Sequence, residues 1–163
     1  MSGDFFRREI VTTADGSSSI FLPDFGEHYH SHHGAIQESK HVFMKMGWEK
    51  LVPGKTPIDI LEIGFGTGLN AWLVYEATQK ENSPEVFYSS VEAFPVSYEM
   101  AMELNYCSPE NKPAFLKLHG AEWDSPVRMD PKFSLEKLQT TLADFIPSRK
   151  YDLVFFDAFA PRV

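Results

Sequence analysis

The sequence predicts an α/β domain built on a mostly parallel sheet with helices on both faces, and three observations carry that expectation. From residue 58 onward, short apolar runs alternate with helix-length amphipathic segments, the pattern that lays helices over parallel strands. Glycines recur at 64, 66 and 68, directly behind the first apolar run, where a strand-to-helix turn calls for positive φ or a close backbone approach. Glu62, Glu92 and Asp157 fall at the carboxyl ends of three such runs, the end at which open α/β sheets bind ligands.

The elements follow in order. Residues 8–22 read as two short strands around Asp15–Gly16, a dipeptide that tolerates the positive φ of a hairpin turn. The polar and aromatic stretch 23–34 reads as loop. Residues 35–46 form a helix with Ile36, Phe43 and Met46 near one face, and Gly47 sits where a C-terminal cap belongs. After the loop 52–57 comes a strand over 58–63, then a helix over 69–80. A strand over 84–93 precedes a helix over 95–106 with Pro95 in its first turn. A short helix follows at 113–119. A hairpin turns about Asp130–Pro131 within 127–142, and a strongly apolar strand runs over 151–159. Together these make one domain: an N-terminal hairpin-and-helix extension over 1–57, and the first half of a ligand-binding α/β core over 58–163.

Composition narrows the class further. At 163 residues and 43% hydrophobic content the chain suits one globular domain. No stretch approaches the roughly 18 consecutive apolar residues of a membrane span, and the N-terminus lacks the apolar core of a secretory signal. The single cysteine, Cys107, excludes an internal disulfide framework; a cytoplasmic setting is the expectation. A net charge of −8 and the lack of a Lys/Arg-rich run neither support nor exclude a nucleic-acid partner, since phosphate contacts need only a local basic face.

The glycine spacing bears on the ligand. Gly64, Gly66 and Gly68 give G-x-G-x-G, whereas the dinucleotide fingerprint is G-x-G-x-x-G, with Leu69 standing where its third glycine belongs. Glu62, two residues ahead of Gly64, suits a ligand with a cationic amino group better than one with a diphosphate. Glu92 is placed to accept hydrogen bonds from ribose hydroxyls, a feature that fits either ligand. The two candidates are therefore a nicotinamide dinucleotide and S-adenosylmethionine.

The segments "LEIGFGTGLN", "VEAFP" and "FFDAFAP", with the N-terminal "ADGSSSIF" and "EHYHSHHGAIQESKHVF", resemble the Rossmann-like S-adenosylmethionine-dependent methyltransferases. More narrowly, they resemble the MnmC-type tRNA 5-methylaminomethyl-2-thiouridine methyltransferase domain. That resemblance implies methyl transfer to the aminomethyl group of a modified wobble uridine in the tRNA anticodon. It places Glu62, Gly64, Gly66 and Gly68 beneath the methionine part of the cofactor, Glu92 on the ribose and Asp144 beside the adenine. Asp157 would face the methyl donor and the incoming amine, and Tyr29 and Ser31 would fold over the cofactor. Apart from the resemblance, Phe159 offers a face either for stacking a splayed-out base, with Pro161 stiffening the loop, or for plain core packing. The resemblance also implies strands beyond Val163, so that this chain would be a C-terminally truncated domain, and a separate FAD-dependent oxidase as partner. The alternatives are an NAD(P)-dependent oxidoreductase and a non-catalytic cofactor-binding remnant. No metal is expected: His28, His30 and His32 alternate, and Glu38 and His41 share the i, i+3 spacing of a ligand pair, but no second Glu-x-x-His accompanies them.

Overall fold

Residues 6–51 and 54–158 are described in a computed structural model of the chain. Two strands, β1 (Glu9–Thr12) and β2 (Ser18–Leu22), pair antiparallel with Thr12 opposite Ser18. Gly16, at φ 84°, supplies the left-handed residue of the turn. Asp15 pins this turn to the next element: its carboxylate accepts from the backbone N–H of Ser17 and of Gln37, each at 3.0 Å. The polar stretch read as loop contains a two-residue strand, β3 (Glu27–His28), which pairs with Phe21–Leu22.

The helix expected over 35–46 divides. Its α-helical part is α1 (Ala35–Ser39), and residues Lys40–Lys45 continue as π-helix. The wider turn shifts the phase of the side chains. Ile36, Phe43 and Met44 therefore pack on the core, while Met46, expected on the same face, is 59% exposed. Gly47 is not a left-handed cap, having φ −115°. It is small because a Cβ there would lie 2.6 Å from the Phe43 carbonyl oxygen and 3.1 Å from the Phe155 ring.

The main sheet has five strands in the order β6-β7-β5-β4-β8. They are β4 (Ile58–Ile63), β5 (Val86–Val91), β6 (Pro126–Asp130), β7 (Phe133–Leu138) and β8 (Leu153–Phe156). All pairings are parallel except β6 with β7, the expected hairpin about Asp130–Pro131. The chain moves from β4 to β5 and then β7 in one direction, and returns to place β8 on the other side of β4. That reversal opens a crevice at the carboxyl end of β4.

One face of the sheet packs against α2 (Leu69–Thr78) and α4 (Lys112–Gly120), with Ile60, Tyr88, Leu135 and Phe155 meeting Trp72, Val74, Phe115 and Leu118 in one core cluster. The other face carries a smaller cluster, in which Phe145 and Tyr151 cover Leu61, Ile63 and Val91. This β7-to-β8 connection runs in turns and bends. The mostly parallel, helix-flanked sheet is the expected one. The helix expected over 95–106 is only α3 (Tyr98–Glu103). It starts late because the Ser97 hydroxyl accepts from the Met100 N–H at 3.2 Å, which makes Ser97 the N-cap.

Candidate functional site

The three glycines do three different things. Gly64 (φ 96°) ends β4, and a Cβ on it would lie 2.5 Å from the carbonyl oxygen of Asp157. The chain leaving β8 thus passes directly against it. Gly66 (φ 53°) forms the tip of the turn, within van der Waals distance of the Tyr29 ring. Gly68 (φ 75°) is the N-cap of α2 and packs on the His119 imidazole. All three N–H groups are already used. Gly64 donates to the Val91 carbonyl at 2.8 Å, Gly68 to the Phe65 carbonyl at 2.9 Å, and Gly66 to Glu92 Oε2 at 2.9 Å.

Above this turn lies a cavity of about 440 Å³, walled by the ends of β4, β5 and β8 and by the N-terminal sheet. Glu92 lines it, held on one side by Gly66 and on the other by the Phe94 N–H, which donates to Oε1 at 2.9 Å. Burial pushes its carboxyl above the usual range, against the opposing pull of the Phe94 and Gly66 hydrogen bonds and the Arg8 charge. Asp157 lines the opposite wall. Its N–H continues the β8–β4 pairing to the Ile63 carbonyl at 3.0 Å, and its Oδ2 accepts from Asn70 Nδ2 at 3.1 Å. Burial raises its carboxyl to about 7 despite the Asn70 bond, with the Glu38 charge adding to the rise.

The N-terminal sheet closes the crevice from above. Tyr29 lines the cavity, and its hydroxyl accepts from Arg8 Nε at 3.2 Å. Arg8 also donates to the Phe94 carbonyl at 2.7 Å and lines the cavity itself. His30 lines it too, with Nδ1 3.0 Å from the Ser19 hydroxyl; burial lowers this imidazole to about 4, so it is neutral near pH 7.

Four expected positions differ. Glu62 is 0% exposed and points into the helix-covered side of β4, where Oε1 accepts from the Ser90 hydroxyl at 2.7 Å. It lies beneath the site and does not line it, because it shares the inward alternation of Ile58 and Ile60. Gly68 faces His119 and not the cavity. Asp144 is exposed and closes a local turn, accepting from the Thr141 hydroxyl at 2.7 Å; Thr140, Thr141 and Leu142 line the cavity instead. Ser31 donates its N–H to Glu38 Oε2 at 2.6 Å and lies off the wall, so Tyr29 alone of that pair reaches it. Phe159 and Pro161 lie outside the described residues.

Sequence reasoning missed Asn70 and Arg8. Asn70 could have been found from its place in the first turn of α2, two residues after Gly68, where a polar side chain turns back toward the strand ends. Arg8 carried no local signal, since only the packing of the two sheets brings it to the cavity. Among the described residues no group of three or more His, Cys, Asp or Glu side chains is arranged to hold a metal ion.

Fold and site together define a Rossmann-like α/β domain with a crevice, lined by Glu92 and Asp157, at the reversal of its strand order. No family profile matches the chain. It is 30% identical to the tRNA 5-methylaminomethyl-2-thiouridine biosynthesis bifunctional protein MnmC of Paracidovorax citrulli, over 88% of this chain and 24% of that protein. The protein of the same name from Polaromonas naphthalenivorans is 28% identical over 96% of this chain and 26% of its own. The crystal structure of MNMC2 from Aquifex aeolicus superposes with a TM-score of 0.70 at 27% identity, covering 98% of this chain and 52% of that one. The chain is thus similar to MnmC proteins over most of its own length, and it spans about a quarter of the length of the curated relatives it matches.

Proposed function

We propose that this chain is an S-adenosylmethionine-binding methyltransferase domain that acts on the aminomethyl group of a modified wobble uridine in tRNA. The observation that carries the cofactor choice is the state of the glycine turn. A dinucleotide's pyrophosphate is held by free backbone N–H groups at such a turn. Here the N–H groups of Gly64, Gly66 and Gly68 are all bonded within the protein, and Gly66 is bonded to a carboxylate. An anion placed there would face Glu92 across a few ångströms, whereas a ribose with two hydroxyl donors and a cationic sulfonium nucleoside suit it. The names of the relatives, which concern tRNA 5-methylaminomethyl-2-thiouridine, support the substrate class.

The cofactor, when bound, supplies an electrophilic methyl group. The protein's own part is placement. Glu92, already oriented by two backbone donors, has lone pairs left for ribose hydroxyls. Tyr29, packed over Gly66 and held by Arg8, limits the height of the cleft. Asp157, with a carboxyl near 7, is suited to hydrogen-bond an incoming amine, orient its lone pair and accept charge that develops on nitrogen.

Calorimetric titration with S-adenosylhomocysteine and with NADH tests the reading. Binding of the thioether nucleoside, weakened by Glu92→Gln, is expected; binding of NADH alone would reverse the assignment to a nicotinamide enzyme. Labelled methyl transfer to undermethylated tRNA, with Asp157→Ala as control, separates an active domain from a non-catalytic remnant.

A further inference from the structure

The glycine turn rests on two buried side chains, His119 and Lys137, neither of which lines the cavity. His119, in the last turn of α4, holds Nε2 2.9 Å from the Thr67 carbonyl oxygen. A carbonyl only accepts, so Nε2 carries the proton. The same nitrogen lies 2.8 Å from where a Cβ of residue 68 would stand, and the imidazole meets the Phe65 ring with centroids 5.3 Å apart. Lys137, on β7, is 1% exposed. Its Nζ donates to the His119 carbonyl at 2.6 Å and lies 4.5 Å from the centroid of the Trp123 ring and 5.4 Å from that of Phe65.

An ammonium has three N–H donors and no acceptor. This one meets a single carbonyl and two aromatic rings, an arrangement that attracts a cation. Among the described residues no carboxylate pairs with it. Burial lowers it to about 8, which leaves it charged near pH 7. Taking a charge out of water is costly, and an apolar side chain of the same length would fill the place without that cost. Core filling therefore does not account for a lysine here.

What the ammonium fixes is the turn. Gly64, Gly66 and Gly68 have φ of 96°, 53° and 75°, and glycine leaves other conformations open as well. Among the described residues, the one backbone hydrogen bond within 64–68 runs from the Gly68 N–H to the Phe65 carbonyl. Lys137 and His119 add holds on the Phe65 ring and on the Thr67 carbonyl, and both of those residues line the cavity.

We infer that Lys137 and His119 are positioning residues: the ammonium clamps the Phe65 ring and the end of α4, the imidazole pins the Thr67 carbonyl, and the glycine turn is held in its binding shape before a ligand arrives. The hold on the turn stands on geometry alone; its effect on cofactor affinity rests on the function proposed above.

Lys137→Met tests this, because it keeps the length of the side chain and removes the charge. Its stability in urea at pH 7 should equal or exceed that of the wild type. Its affinity for S-adenosylhomocysteine in calorimetry should nevertheless fall about 10-fold, as for a turn that spends about a tenth of its time in the binding shape. The Gly66 and Gly68 amide signals of the ligand-free protein, sharp in the wild type, should broaden or split. His119→Gln, whose amide can replace the Nε2–H donor, should keep wild-type affinity and signals, and His119→Leu should lose both. Wild-type affinity and glycine signals in Lys137→Met overturn the inference, as does an affinity that falls only as stability falls. A His119→Gln protein that behaves like His119→Leu overturns it too, and this pair decides alone if Lys137→Met does not fold. If the wild type fails to bind S-adenosylhomocysteine, the function proposed is wrong, and the glycine signals of the variants still decide whether the turn is held.

Discussion

Gly64 sits where a side chain is doubly forbidden: its φ of 96° is left-handed, and the backbone of Asp157 occupies the place of a Cβ at 2.5 Å. Gly64→Ala should therefore push the chain after β8 away from β4 and cost about 2–4 kcal/mol, combining backbone strain with a backbone clash; urea unfolding measures it. Gly26 offers the comparison. It also has positive φ, 67°, but nothing lies within 4 Å of its Cβ position, so Gly26→Ala should cost only about 1 kcal/mol from strain. At the cavity, Glu92→Gln keeps the size and removes the charge. Its amide N–H₂ must then face either the Gly66 or the Phe94 N–H, donor against donor. S-adenosylhomocysteine affinity should fall by roughly 10–100-fold, the loss of one or two charge-assisted hydrogen bonds, read by calorimetry.

At the scale of elements, the π-helical turn over Lys40–Lys45 and the strand β8 are coupled through Gly47, whose missing side chain leaves room for the Phe43 carbonyl and the Phe155 ring. Gly47→Ala meets no conformational penalty at φ −115°; its effect is steric only. A loss of about 1–3 kcal/mol is expected, with the Phe43–Phe155 ring contact, centroids 5.3 Å apart, displaced. This element also shows the limit of reading a helix from period alone. The apolar spacing over 35–46 announced a helix, but the extra residue per turn that brings Met44 inward and leaves Met46 in solvent arises from packing against β8. Likewise the run 95–106 is helix-forming throughout, yet Ser97 takes the capping bond and Leu104, 1% exposed, is drawn down into the core in extended conformation.

For the whole molecule, buried titratable groups set the pH dependence of stability. Burial raises Glu62 to about 8 and Asp157 to about 7, so the folded state holds protons that the unfolded chain releases near 4–5. Their contribution is fully present below those ordinary values and is lost as pH rises through 7 and 8. Burial lowers His30 and His119 to about 4, which acts in the opposite sense but only between about 4 and 6.5. Lys137, lowered to about 8 by burial, acts only above that pH. Stability should therefore fall between pH 6.5 and 8, by about 2 kcal/mol from Glu62, and Glu62→Gln should flatten that limb in denaturant titrations. The N-terminal sheet is tied to the segment that follows α3 through Asn105, which accepts from the Ser18 N–H at 2.7 Å and donates to the Gly16 carbonyl at 2.9 Å. Asn105→Ala should destabilise by about 1–3 kcal/mol, leaving a buried N–H unmet. Thermal unfolding should keep a single transition, since Tyr106 still donates to the Ser18 carbonyl.

What the sequence by itself determined is whatever short-range chemistry controls. The first hairpin follows from Asp15–Gly16, the strand over 58–63 from its apolar run, and the bend behind it from three glycines in left-handed conformation. The second hairpin follows from Asp130–Pro131. The candidate site was legible where it depends on the ends of strands: Glu92 and Asp157 face one cavity, as their positions after β5 and β8 predict. Tertiary structure alone decided which side of a strand each acid takes and what comes from afar to meet it. Glu62 is one residue short of the strand's end, on the side that the helices cover, so alternation buries it beneath the cleft. Arg8, Tyr29 and Thr140–Leu142 reach the cavity from segments far apart in the chain, and no local pattern records a contact made by packing one sheet over the end of another.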